Sequence, residues 1–123
     1  MDIIKIKDKE DFITYYKWIK QCNFVESSPD QILLNCLNGT YFGFLAKDKG
    51  KVKGMAVCKA VGSMVFIVGC WCKNNVANFN NAFFDKLKAE GFKTARSSSY
   101  RDIAAYEKVI GMRKLWTVYE RTL

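Results

Sequence analysis

The residues able to do chemistry in this chain are few, and the missing types narrow the choice first. None of the 123 residues is histidine. That removes the usual general base near neutral pH, the usual zinc ligand, and the Ser/His and Cys/His dyads of nucleophilic catalysis. Five cysteines, Cys22, Cys36, Cys58, Cys70 and Cys72, are scattered through core-like segments. Cys70 and Cys72 flank Trp71 and project to one face of a strand. With no other clustered cysteine and no histidine they make a poor metal site, so no metal is expected. A thiol becomes nucleophilic beside a helix N-terminus, but in so apolar a strand Cys58, Cys70 and Cys72 read as buried, reduced filler. Tyr106 is the other candidate. It stands in helical register with Ile103 and Ile110, which suits a core ring, yet a phenol of pKa about 10 can donate a proton at neutral pH. Spacing leaves both readings of Tyr106 open. No Asp or Glu lies between Lys49 and Cys72, so that stretch offers no carboxylate base.

The elements that must position these residues can be read from periodicity and caps. Ile3–Lys7 alternates as a short strand. Asp8 caps a helix whose Phe12, Tyr15, Tyr16 and Ile19 form one apolar face, with Trp18 off that face and either buried or at an interface. Ser28-Pro29-Asp30-Gln31 opens a second helix carrying Ile32, Leu33, Cys36 and Leu37, and Asn38-Gly39 ends it. Tyr41–Ala46 and Val52–Ala60 form a hairpin across Lys47–Lys51. Its lysines, Lys47, Lys49, Lys51 and Lys53, suit either a solvated tip or an anion contact. Gly62-Ser63 turns into Met64–Cys72, an apolar run fit for a strand buried on both faces. Asn74 or Asn75 caps a third helix with Val76, Phe79, Phe83 and Leu87 inward and Gly91 at its end. Phe92–Ser97 is a strand. Ser99, with Asp102 in the capping-box position, then opens a helix over Ser99–Gly111. Arg113–Arg121 alternates as a last strand. The order is β-α-α-β-β-β-α-β-α-β, an α/β single domain over residues 1–123 with a mixed sheet.

Composition sets the outer bounds. Half the residues are apolar and 15% aromatic, enough for a domain burying roughly two-thirds of its unfolded surface. No apolar run approaches the ~20 residues that span a bilayer, and Met1-Asp2 opens no signal peptide. With an odd number of cysteines, this predicts a cytoplasmic protein with no membrane partner. The net charge of +8 favours an anionic partner.

Tyr106-Glu107-Lys108-Val109-Ile110-Gly111-Met112 resembles the C-terminal half of the GNAT (N-acetyltransferase) superfamily, where a Tyr-Glu-Lys-x-Gly-Phe run leads from the last helix into the last strand. The element order is similar to the family's over essentially the whole chain. The resemblance implies a GNAT-like mixed sheet in which Met64–Cys72 and Phe92–Ser97 splay apart. It also implies acetyl-CoA in the cleft between them. In the family the junction between the central strand and its helix reads Q/R-x-x-G-x-G/A. Aligned on Phe83-Phe84-x-x-Leu87, that motif falls on Asn75-Val76-Ala77-Asn78-Phe79-Asn80, with Asn75 at the Arg position and Asn78 and Asn80 at the later Gly positions. By the same resemblance, backbone groups at Val68, Gly69 and Cys70 would pair with pantetheine. The helix start at Asn75, Val76, Ala77, Asn78, Phe79 and Asn80 would meet the pyrophosphate. Ser99 takes the place of a frequent Asn after the fifth strand, and Tyr106 falls on the Tyr that protonates the departing thiolate. The implied function is acyl transfer from acyl-CoA to an amine. The alternative is a catalytically inactive protein of GNAT fold that binds an acidic protein or nucleic acid through a basic, aromatic surface. No helix-turn-helix, RNP or zinc motif accompanies the charge.

Overall fold

Three long strands in the middle of the chain set its frame. β3 (Phe42–Asp48), β4 (Lys51–Val61) and β5 (Met64–Cys72) form an antiparallel meander. The computed structural model, which describes residues 1–24, 27–98, 113–115 and 118–123, adds β1 (Asp2–Lys5) beside β3 and β6 (Thr94–Ser98) parallel to β5. β8 (Val118–Thr122) runs antiparallel to β6, and β7 (Arg113–Leu115) pairs with β8. Among the described residues the sheet order is β1-β3-β4-β5-β6-β8-β7, with a short β2 (Asn23–Phe24) paired to β5 off this path. α1 (Asp11–Thr14), α2 (Tyr16–Ile19) and α3 (Pro29–Leu37) cover one face and α4 (Val76–Ala89) the other. The chain is a mixed α/β domain, as its residue patterns predict.

Strand alternation divides the core in two. Phe44, Ala46, Ala56, Cys58, Val65 and Ile67 meet Phe79, Phe83, Phe84 and Leu87 of α4. Leu45, Met55 and Val57 meet Phe12, Ile19, Ile32 and Cys36. A strand glycine seats a phenylalanine on each face. A Cβ on Gly43 would lie 2.8 Å from Cε1 of Phe12, and one on Gly54 would lie 2.9 Å from Cε2 of Phe79 and 2.7 Å from the Trp71 carbonyl oxygen. The β3–β4 turn is built on Lys49 and Gly50, both at positive φ (52° and 77°), as a two-residue hairpin turn requires. Ser28 caps α3, its hydroxyl accepting from the Gln31 N–H at 3.3 Å.

Several expectations need correction. The first helix is two single turns broken at Tyr15 (φ −89°, ψ 6°); Ile13-Thr14-Tyr15-Tyr16 is a run of weak helix formers. Phe12 and Ile19 still reach the core, while Tyr15, Tyr16 and Trp18 pack at its margin half-buried. Val76 does not join the buried stripe of α4 and is 42% exposed. Helical side chains lean toward the N-terminus, which carries a first-turn residue past the last inward contact. In β5 only Val65, Ile67 and Gly69 are buried, because α1–α3 pack over β3 and β4 rather than over its first half. Arg113–Arg121 is not one strand. Its two ends pair as the hairpin of β7 and β8, which gives β8 a partner on each edge. The Ser99–Gly111 helix lies outside the described residues.

Candidate functional site

The sheet opens where β5 is irregular. Among the described residues β5 pairs with β6 at four positions, from Met64↔Thr94 to Ile67↔Ser97. Against β4 its register steps from Cys58↔Ile67 to Val57↔Gly69, leaving Val68 as the extra residue of a bulge. A bulge bends its strand and sharpens the twist, and this one falls directly after the last described β5–β6 pair. The chain after Ser98, where the splay expected from the sequence would show, lies outside the described residues. The bulge also resets which residues share a face: Val65, Ile67, Cys70 and Cys72 turn toward α4, while Val68 and Trp71 turn toward α1–α3. Crevices at the carboxyl ends of parallel strands are where open α/β sheets take their ligands. Here β2 also reaches in, pairing Asn23 with Cys70 and Phe24 with Gly69.

α4 begins at the mouth of this crevice, three residues after β5. Lys73 N–H donates to the Lys53 carbonyl at 2.8 Å and directs the chain there. Asn75 then takes a left-handed conformation (φ 55°, ψ 55°) and offers no side-chain cap. The first intrahelical bond is from Phe79 N–H to the Asn75 carbonyl, 2.9 Å. The N–H groups of Val76, Ala77 and Asn78 therefore have no partner within the helix, and they sit at its positive end. No acidic residue occupies the first turn. Asn75, Val76, Ala77 and Asn78 are exposed, whereas the Phe79 ring is buried and stacks on Phe83 at 5.8 Å. Asn80 turns inward. It is 8% exposed, and among the described residues its Nδ2 is buried without an acceptor. Such an orphan costs about 1–3 kcal/mol. Three free N–H groups and one orphaned amide at a helix start fit an anionic, oxygen-rich group, so the residues present suit a pyrophosphate.

The remaining candidates fall differently. Ser99 and Tyr106 lie outside the described residues. None of the five cysteines forms a disulfide. Burial pushes the Cys36 thiol up to about 12, and it raises Cys22 and Cys58 as well, with help from neighbouring thiols. None of these three is a nucleophile at neutral pH. Cys70 and Cys72 are half-buried rather than fully buried, since they lie beyond the stretch where β6 flanks β5. Among the described residues no group of His, Cys, Asp or Glu could hold a metal ion, and no helix is long and apolar enough to cross a membrane. Two features of the site escaped sequence reasoning, β2 and the Val68 bulge.

No family model and no curated protein matches the sequence. Solved structures do match in fold. The ribosomal-protein-S18-alanine N-acetyltransferase of Escherichia coli superposes with a TM-score of 0.69 at 12% identity, covering 98% of this chain and 92% of that one. A Bacillus subtilis acetyltransferase in complex with CoA gives 0.68 at 15% identity over 99% and 98% of the two chains. The PaiA N-acetyltransferase of Thermoplasma acidophilum, also in complex with coenzyme A, gives 0.65 at 12% identity over the full length of both. This chain has the fold of the GNAT acetyltransferases.

Proposed function

We propose that the chain binds acyl-CoA and transfers the acyl group to an amine. The observation that carries this reading is the Val68 bulge, directly after the last described β5–β6 pair, beside an uncapped α4 whose Asn80 amide has no acceptor among the described residues. Two of the fold neighbours bind CoA, which supports that ligand class. The N–H groups of Val76, Ala77 and Asn78 hold the pyrophosphate, and Asn80 Nδ2 donates to an oxygen at the same end. Backbone groups of Val68, Gly69 and Cys70 pair with the pantetheine amides. Ser99, which follows β6 in the sequence, supplies a hydroxyl contact to the ligand. The thioester supplies an acyl carbon activated toward amines. Tyr106 gives its phenolic proton to the sulfur as the C–N bond forms and the C–S bond breaks. Water takes the amine proton, because no carboxylate lies between Lys49 and Cys72.

Thermal unfolding with and without acetyl-CoA tests this. Ligand at 100 times its Kd adds about 2.7 kcal/mol of stability. Absence of any stabilisation, together with no calorimetric heat at millimolar acetyl-CoA, ends the reading. A second reading, a catalytically inactive protein holding an acidic protein or nucleic acid, is favoured by exposed Lys49 and Lys51 at the tip of the β3–β4 hairpin. It predicts binding to a polyanion that weakens steeply with salt.

A further inference from the structure

The geometry that opens the crevice also fills part of it. β4 pairs with β5 along its length, from Gly54↔Cys72 to Val61↔Met64, so any further partner of β5 lies on the opposite edge. β6 takes that edge from Met64 to Ile67, and β2 takes it at Gly69 and Cys70. Successive residues of a strand turn their N–H and C=O groups to opposite edges. Within Val68–Cys70, therefore, only one or two residues present backbone groups to the crevice, and β2 uses them.

We infer that β2 is a strap across the acyl-CoA cleft: Asn23 and Phe24 hold the stretch of β5 edge that pantetheine amides need, and acyl-CoA enters as they leave. This rests on the acyl-CoA reading given above. The strap is fixed at both ends. On one side Cys22 is 7% exposed, its thiol 3.5 Å from the Trp18 carbonyl oxygen and 3.9 Å from that of Met55. On the other, Ser28 is held by its cap on α3. Among the described residues between these anchors, two residue pairs hold the strap down. One of its two residues is Asn, a poor strand former. Release therefore breaks a minimal ladder and leaves both anchors in place. A strap closed nine-tenths of the time weakens apparent affinity roughly tenfold, since apparent Kd is the intrinsic value divided by the open fraction.

Two measurements test this. Amide hydrogen exchange is followed in the wild type with and without saturating acetyl-CoA. Acetyl-CoA affinity is measured by calorimetry in the wild type, in Asn23→Pro and Phe24→Pro, which cannot donate to the ladder, and in a gentler Asn23→Gly/Phe24→Gly double variant. Acetyl-CoA should speed exchange at Asn23 and Phe24 while Gly69 and Cys70 stay protected, and the variants should bind roughly tenfold more tightly. Binding by the variants and none by the wild type would equally support a closed strap. Binding by the wild type with unchanged exchange at Asn23 and Phe24, and equal affinity in the variants, overturns the strap and leaves the acyl-CoA reading standing. Binding by none of them overturns both. Where the proline variants do not fold, the glycine pair and the wild-type exchange carry the decision.

Discussion

Asn80 keeps a hydrogen-bond donor inside the core with no acceptor among the described residues, which a side chain selected for packing alone would not do. Asn80→Leu removes the donor at similar volume. We expect the variant to gain about 1 kcal/mol of stability without ligand and to bind acetyl-CoA more weakly, read by urea midpoint and by calorimetry. A variant that loses stability and keeps its affinity would make the amide a packing group. The buried thiols lead to a pH dependence. In the unfolded chain a thiol ionises near 9.0, whereas Cys36 in the fold keeps its proton up to about 12 and Cys22 and Cys58 are raised as well. Across that window the folded state binds more protons than the unfolded one, so stability falls as pH rises. Their contribution is fully present below the unfolded value and is lost at about 1.4 kcal/mol per pH unit for each thiol. Urea midpoints should be flat below about pH 8 and decline steadily above about pH 9; a flat alkaline limb would contradict the burial of these side chains.

Among the elements, α4 depends on a glycine in another strand. Gly54 lets the Phe79 ring settle on the sheet directly beneath the uncapped helix start. Gly54→Ala places a Cβ against both the Trp71 carbonyl and that ring, and should cost about 1–3 kcal/mol, measured by denaturant unfolding. An alanine variant as stable as the wild type would mean that α4 can slide. The elements legible in the sequence are those with local chemistry at their ends: the Ser28-Pro29 start of α3, the Lys49-Gly50 turn, and the Phe79, Phe83, Leu87 stripe of α4. The others have no local signature. Every residue of Val65-Phe66-Ile67-Val68 suits a strand, so nothing marks Val68 as the bulge. Arg113–Arg121 contains no Gly, Pro, Asn or Asp, so its division into β7 and β8 is decided by sheet edges and not by a turn signal. β2 is two residues long, one of them Asn. At the site, the spacing of Asn75, Asn78 and Asn80 is plain in the sequence. That Asn80 alone points inward depends on the rotation of α4 against the sheet, which no local pattern encodes.

Over the whole molecule, the described residues form a sheet of two blocks joined by four residue pairs. β1, β3, β4 and β5 form one, and β6, β8 and β7 the other, with the seam at Met64–Ile67 against Thr94–Ser97. Side chains reinforce the second block: Arg96 Nε lies 2.8 Å from Glu120 across β6 and β8, and the Arg121 guanidinium lies 4.3 Å from the centre of the Phe84 ring of α4. The first block is already complete when synthesis reaches Cys72, and β6 follows with Thr94–Ser98. At ~5–20 residues per second that interval is on the order of one to five seconds. Throughout it the newest strand of the growing sheet lacks its parallel neighbour, and unpaired strands on nascent chains are what drive aggregation. β2 is made before β5, so Asn23 and Phe24 are in place to shield Gly69 and Cys70 as they emerge. Weakening β2 should therefore lower the soluble fraction recovered from expression, even in an Asn23→Gly/Phe24→Gly variant whose purified stability matches the wild type. Comparing soluble and pelleted protein after a short induction would show it, and equal fractions would leave β2 without a part in the birth of the chain.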